Sequence, residues 1–230
     1  MMLLFFQGLM DSTKKAGELL GAAPEKMKIF DLLANGGPLM IPLALLLLLA
    51  IFFFIERVLA INKASKIDGN FMNIIRDHIV SGNVTAARSL AKNTDNAVAR
   101  IIDKGLQRIG KPIEAIEKSM ENVGKLEMYK MERNVSILSI VAGMAPMVGF
   151  LGTIFGMIQL FSNINSTGKF DLNTIAGGIY VKMITSATGL IIGLMAYVAY
   201  NYLNTQIDKT ANKMEASSSE FLDVLQEPTK

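Results

Sequence analysis

Residues 135–161 contain no charged side chain, and residues 175–203 contain only Lys182 among a few small polar groups. A third run, "LMIPLALLLLLAIFFFI" at 39–55, is equally free of charge and stops at Glu56 and Arg57. About 20 apolar residues suffice for a helix to cross the hydrocarbon core of a bilayer. In lipid every backbone polar group must be satisfied within the segment, so an open strand is excluded. These runs predict an all-α integral membrane protein with three transmembrane helices, at 38–56, 135–161 and 175–203. The second and third are long, and they extend into a cytoplasmic helical bundle.

Charge sets the expected topology. Residues 57–134 hold 14 Lys/Arg against 9 Asp/Glu, while the connection 162–174, "SNINSTGKFDLNT", holds Lys169 as its one cation. Cationic residues near span ends mark the cytoplasmic side. The region 57–134 and the tail 204–230, with Lys209, Lys213 and Lys230, are therefore read as inside. Residues 1–37 and the hairpin 162–174 are read as outside, so the N-terminus is periplasmic and the C-terminus cytoplasmic. The opening "MMLLFFQGLM" lacks a basic leader and suits an amphipathic helix lying in the outer interface of the bilayer.

The region 57–134 has no alternating strand pattern. Asp68 is placed to cap a helix from about Asn70 to Val80, with Phe71, Ile74, Ile75 and Ile79 on one side. Gly82 and Asn83 break it. A short helix follows with Val84, Ala87, Leu90 and Ala91, then another over 96–109 with Val98, Ile101, Ile102, Gly105 and Ile109. Pro112 suits the first turn of a long helix. Its Ile113, Ile116, Met120 and Val123 keep helical spacing, and the pattern runs directly into the second span. After residue 204, Ile207, Ala211, Met214, Ser218, Phe221 and Leu225 form one apolar stripe, expected to pack on the helix of residues 112–134.

The chemistry these residues exclude is broad. There is no cysteine and a single histidine, His78, so neither a disulfide nor a metal site is expected. The region 57–134 shows no nucleotide-binding loop, nucleophile–base set or carboxylate pair. No enzyme activity, no cofactor and no nucleic-acid partner are expected.

The two long spans share a peculiarity. At 100° per residue, Ala142, Ala145, Gly149, Thr153 and Gly156 fall within about 40° of one line, with Pro146 and Gly152 at its edges. Phe150, Phe155 and Leu160 are assigned to other faces. In the third span Lys182, Ser186, Gly189, Gly193 and Tyr200 share a stripe flanked by Thr185 and Ala196. Small faces permit close helix packing, in the small-xxx-small manner of Gly152/Gly156 and Gly189/Gly193. They also suit the lining of a narrow passage. Lys182 lies about 10 Å inside its span by helical rise, where a charge must face a cavity, find a partner or snorkel outward. Neither span contains Asp or Glu, so the chain cannot by itself relay protons through a membrane carboxylate.

"APMVGFLGTIFGMIQLF" (145–161) closely resembles the signature of the MotA/TolQ/ExbB proton-channel proteins. "ITSATGLIIGLMA" (184–196) resembles their third-span motif, and "FIERVL" (54–59) their exit from the first span. The likeness to the ExbB/TolQ branch covers most of the chain, and the four-span MotA branch fits less well. The resemblance implies a pentamer in a bacterial inner membrane whose second and third spans line a pore. A single-span partner of the ExbD/TolR type supplies a membrane aspartate, and the proton-motive force energises a periplasmic effector such as TonB or TolA. A TolQ-like envelope-maintenance or gliding-motility stator, or a non-conducting scaffold, are the alternatives. By this likeness Thr153 matches the pore threonine and Ser186 stands where threonine is common; Thr185 and Lys182, read from the stripe of the third span, are expected along the ion path as well. Val181 stands where many ExbB proteins have glutamate. A neighbouring subunit is expected against the glycine edge, and a partner's aspartate helix opposite Thr153.

Overall fold

A computed structural model describes residues 37–66, 68–168 and 171–226. The expected interfacial segment lies, apart from Gly37, outside the described residues. Seven helices account for the described regular structure: α1 Met40–Ser65, α2 Phe71–Val80, α3 Val84–Asn93, α4 Ala97–Leu106, α5 Ile113–Glu132, α6 Val135–Thr167 and α7 Leu172–Gln226. Three stretches, within α1, α5–α6 and α7, are long and apolar enough to cross a membrane.

Helix α1 continues well past Glu56, where the apolar run ends, because Arg57 and Ile61 remain buried against the other helices. Its opposite side exposes Ile41, Leu45, Leu48, Phe52 and Ile55. A continuous apolar face of this kind needs lipid or protein against it. The expected hairpin at 162–174 is mostly helical as well. Helix α6 reaches Thr167 and α7 starts at Leu172, leaving a turn closed by Gly168 at φ 62°, whose N–H bonds the Ile164 carbonyl at 2.9 Å.

The short helices follow their capping chemistry. Asp68 Oδ1 accepts the Asn70 N–H at 3.1 Å, and α2 begins one residue later. Met72 is buried beside Phe71 and Ile75, whereas Ile74 is exposed. Asn83 accepts the Ala86 N–H at 3.1 Å to start α3. Buried Asn96 accepts the Ala99 N–H at 2.7 Å and donates to the Lys66 carbonyl at 3.1 Å, so one side chain starts α4 and ties it to the end of α1. Helix α4 stops at Leu106, short of the expected 109, and Ile109 is exposed in consequence.

These helices form a bundle with the far half of α7, which packs on α2, α4 and α5. Phe221 is fully buried there. It sits so close to Gly105 that a Cβ on that glycine would lie 2.5 Å from the ring and 2.7 Å from Met120 Sδ. The apolar stripe of the tail therefore packs on the helix of residues 112–134, as its spacing predicts, and on α4 and α2 besides. Third span and tail are not separate elements. They are one 55-residue helix, roughly 80 Å long by helical rise.

Helices α5 and α6, by contrast, do not run into one another. Arg133 is extended at φ −52°, ψ 132°, and Asn134 is left-handed at φ 65°, so the helix stops and restarts. Asn134 is the one non-glycine residue at positive φ among the described residues. Asparagine tolerates that region better than most residues, which lets the chain change direction without a glycine.

Candidate ion path along the paired spans

Helices α6 and α7 make the most extensive contact in the molecule. Their small faces meet each other. A Cβ on Gly149 would lie 3.1 Å from the Thr185 carbonyl oxygen and 3.2 Å from the Cα of Gly189. A Cβ on Gly189 would lie 2.5 Å from the Ala145 oxygen, and one on Gly193 would lie 2.6 Å from Pro146 Cγ. A Cβ on Gly152 would press on Thr185 Cγ2 at 2.9 Å. The expectation of a neighbouring subunit on the glycine edge is thus corrected: the chain's own third span fills it. Leu160 also returns to this face, for its methyls lie 3.1 Å from the place a Cβ would take on Gly178. At 100° steps Leu160 stands only about 20° from the Gly149 line, so it shares the small face and does not lie on another.

The predicted polar residues separate into two settings. Thr185 is 1% exposed, sealed between α6 and α7. Thr153 and Ser186 are partly exposed, and Thr153 Oγ1 donates to the Phe150 carbonyl at 2.7 Å. That bond leaves the threonine oxygen lone pairs free to accept. Lys182 lays its methylene stem across Gly156, where any Cβ would overlap Cγ, Cδ and Cε. Its Nζ ends 3.9 Å from the place a Gly37 Cβ would take, at the start of α1. The stem is packed like an apolar side chain while the charge reaches the helix end, as long cationic residues do.

Helix α1 covers one edge of this pair. Leu47, Ala50, Phe54 and Val58 border a groove with Ile192, Met195, Ala199 and Tyr202, and the Phe54 and Tyr202 rings are 6.3 Å apart. Among the described residues nothing covers the opposite edge. There Met147, Phe150, Leu151 and Ile154 flank Ser186 and Leu190 in an open groove.

Two charged residues that the spacing did not single out hold the end of the spans nearest the bundle. Arg57 is 6% exposed, donates through Nη1 to the Lys130 carbonyl at 3.0 Å, and grips Glu56 with Nε at 2.7 Å and with Nη2. It thereby fastens α1 to the last turn of α5, just before the Arg133 and Asn134 break. Glu127 is 3% exposed and accepts from Arg100 at 2.6 Å and Lys130 at 2.7 Å. Asp95 joins the same network through Arg100 and Lys63, each at 2.7 Å. Burial pushes the Glu127 carboxyl up, but the bonds and charges of Arg100 and Lys130 outweigh it and hold the group below its ordinary value. A signal for Glu127 was present: it occupies the i+4 position after Val123 on the apolar stripe of α5, where a carboxylate needs buried partners.

Such an arrangement, all helical with three spans and a carboxylate-free pair packed glycine to glycine, is that of a multi-pass membrane protein. Residues 93–216 match the MotA/TolQ/ExbB proton channel family, and the chain belongs to that family. It is 24% identical over 188 residues to a putative biopolymer transport protein ExbB homolog of Methanothermobacter thermautotrophicus, covering 81% of this chain and 67% of the relative. It is 26% identical over 198 residues to a putative biopolymer transport protein ExbB-like 1 of Synechocystis sp., covering 84% and 78%. A biopolymer transport protein exbB1 of Vibrio cholerae is 30% identical over 90 residues, 39% of this chain and 40% of that protein.

Proposed function

We propose that this chain is the ion-path subunit of an inner-membrane motor that uses the proton-motive force to energise a periplasmic effector, TonB-dependent transport above all. One observation carries the reading. A member of a proton channel family has spans with no Asp or Glu between residues 135 and 170 or between 172 and 207. A proton relay at membrane depth needs an ionisable group, so a second protein must bring it. A single-span helix of the ExbD/TolR type with a membrane aspartate fits that need. The uncovered edge of α6 and α7, with Ser186 and Thr153 among apolar side chains, supplies hydroxyls and little else along its way. In this reading several copies, five by resemblance, turn these edges inward around the partner. The cation excess of residues 57–134 supports a cytoplasmic bundle with Gly37 and Gly168 outside, and in this reading Lys182 stands at the outer mouth.

A second reading, a non-conducting scaffold, draws support from the glycine faces, which packing within one chain already occupies. Proton flux into vesicles holding the chain together with its partner separates the two. The motor reading expects flux that vanishes when the partner aspartate is neutralised, and that falls about 10-fold or more in Thr153→Ala with Ser186→Ala. One general acid–base participant is typically worth 10²–10⁴-fold, and a hydroxyl that only orients the proton is worth less. Flux indifferent to the partner aspartate overturns the reading. Lys182→Met, in cells that depend on the complex, tests the charge at the mouth.

A further inference from the structure

Resting on the reading above, the inner end of the path can be followed along the uncovered edge. Below Ser186 on α7, Leu190, Tyr197, Tyr200 and Asn204 lie on the side away from α1 by helical geometry, while Gly193 between them is buried against Pro146. On α6 the matching side runs from Thr153 and Phe150 past Gly143 to Ser139 and Ser136. Gly143 has open space about it, with no atom within 4 Å of where a Cβ would stand. Ser136 and Ser139 are exposed, and Tyr200 and Asn204 partly so. The edge thus passes from hydroxyls at Thr153 and Ser186, through an apolar stretch at Met147, Phe150 and Leu190, to polar side chains again.

At the end of that edge the α5–α6 break opens a groove. Tyr129, Glu132, Arg133, Asn134, Ser136, Tyr200 and Asn204 surround about 660 Å³, and the lining is mostly polar. Glu132 is the one carboxylate among the residues that line this groove. Glu132, the last residue of α5, is exposed beside the extended Arg133 and the left-handed Asn134. Arg57, bonded to the Lys130 carbonyl two residues before Glu132, holds that geometry in place.

We propose that this groove is the inner mouth of the ion path and that Glu132 accepts the emerging proton. The step is a proton transfer alone. A hydronium hydrogen-bonded to Ser136, Tyr200 or Asn204 carries the emerging proton; one of its O–H bonds breaks as an O–H bond forms on the Glu132 carboxylate, and neutral water is left. The proton then passes to bulk water, and no electron moves. Arg133 and Tyr129 from its own segment and Tyr200 from α7 line the groove with Glu132, and Glu56 of α1 borders it, in reach of Asn134 and Arg133.

The experiment is inward proton flux into vesicles holding the chain with its partner, in Glu132→Gln, Glu132→Asp and Asn204→Leu. Melting temperature and recovery of the assembled complex are measured on each. The expected result is a 5-fold or larger loss in Glu132→Gln, recovery to within 2-fold in Glu132→Asp, and a smaller loss in Asn204→Leu, all at unchanged melting temperature. Flux in Glu132→Gln within 2-fold of the unmutated complex overturns the inner-mouth assignment while leaving the motor reading intact. A loss that Glu132→Asp does not repair, in a complex that still assembles, also counts against an acceptor role. Absence of flux in the unmutated complex removes both readings together.

Discussion

Gly189→Ala is the substitution that tests the α6–α7 contact most directly. The added methyl would stand 2.5 Å from the Ala145 carbonyl oxygen and 3.0 Å from the Gly149 Cα, both backbone atoms. Ordinary contact begins near 3.4 Å, so the two helices must part locally by about 0.9 Å. A gap of that size forfeits about a quarter to a half of the dispersion energy of each contact it opens. Overpacking of a close interface costs typically about 1–3 kcal/mol, and each kcal/mol lowers the midpoint of a chain this size by roughly 2–4 °C. The assay is thermal unfolding of the detergent-solubilised protein with two companions. In Gly156→Ala the obstacle is the flexible stem of Lys182 alone, and in Gly177→Ala nothing lies within 4 Å. The expected order is Gly189→Ala well below the unmutated protein, Gly156→Ala between the two because the Lys182 stem must swing aside, and Gly177→Ala equal to the unmutated protein. Equal melting of Gly189→Ala and the unmutated chain would refute the argument that this contact is backbone against backbone.

Two further outcomes concern the bundle and the break. Glu127 has a folded value below its unfolded one, near 4.5, so its contribution is fully present above about pH 4.5 and is lost as pH falls through the folded value. Unfolding followed against pH will show this acid-side loss, and Glu127→Gln will flatten it. Glu121, held at about 2 by Lys125 and Lys118, is solvent-exposed, and Glu121→Gln will move the profile far less. At the α5–α6 break, Asn134→Gly keeps the left-handed residue and will melt close to the unmutated protein. Asn134→Val, at about 1–2 kcal/mol for an L-residue forced into that region, will melt several degrees lower by calorimetry.

The three spans were legible because lipid solubility is written in uninterrupted apolar runs, and charge asymmetry supplied an expected orientation. The small faces were legible too, but their occupant was not. A face of glycine, alanine and threonine says that something approaches closely, without saying whether it comes from the same chain. Leu160 shows the cost of plotting a face loosely, since a large residue fits on it wherever the opposite helix offers Gly178. Periodicity could not show the break at Arg133 and Asn134, because a left-handed asparagine interrupts the backbone while the apolar register on either side continues. The ends of α1 and α6 were missed for the reverse reason. Their polar last turns are held by helical hydrogen bonds and by buried Arg57 and Ile61, not by hydropathy. Glu127 lay in plain view on an apolar stripe and became meaningful once Arg100 was seen to come from a different helix.

The unbroken course of α7 has a mechanical side. From Gly189, wedged against Gly149, to Phe221, sealed against Gly105, the helix runs 32 residues without interruption, roughly 48 Å at the usual rise. A tilt of one degree about the glycine contact would displace the Phe221 ring by about 0.8 Å, more than a close-packed interior absorbs without rearranging. The rod therefore acts as a lever whose short arm lies in the membrane, and small angular changes there become audible as strain in the bundle.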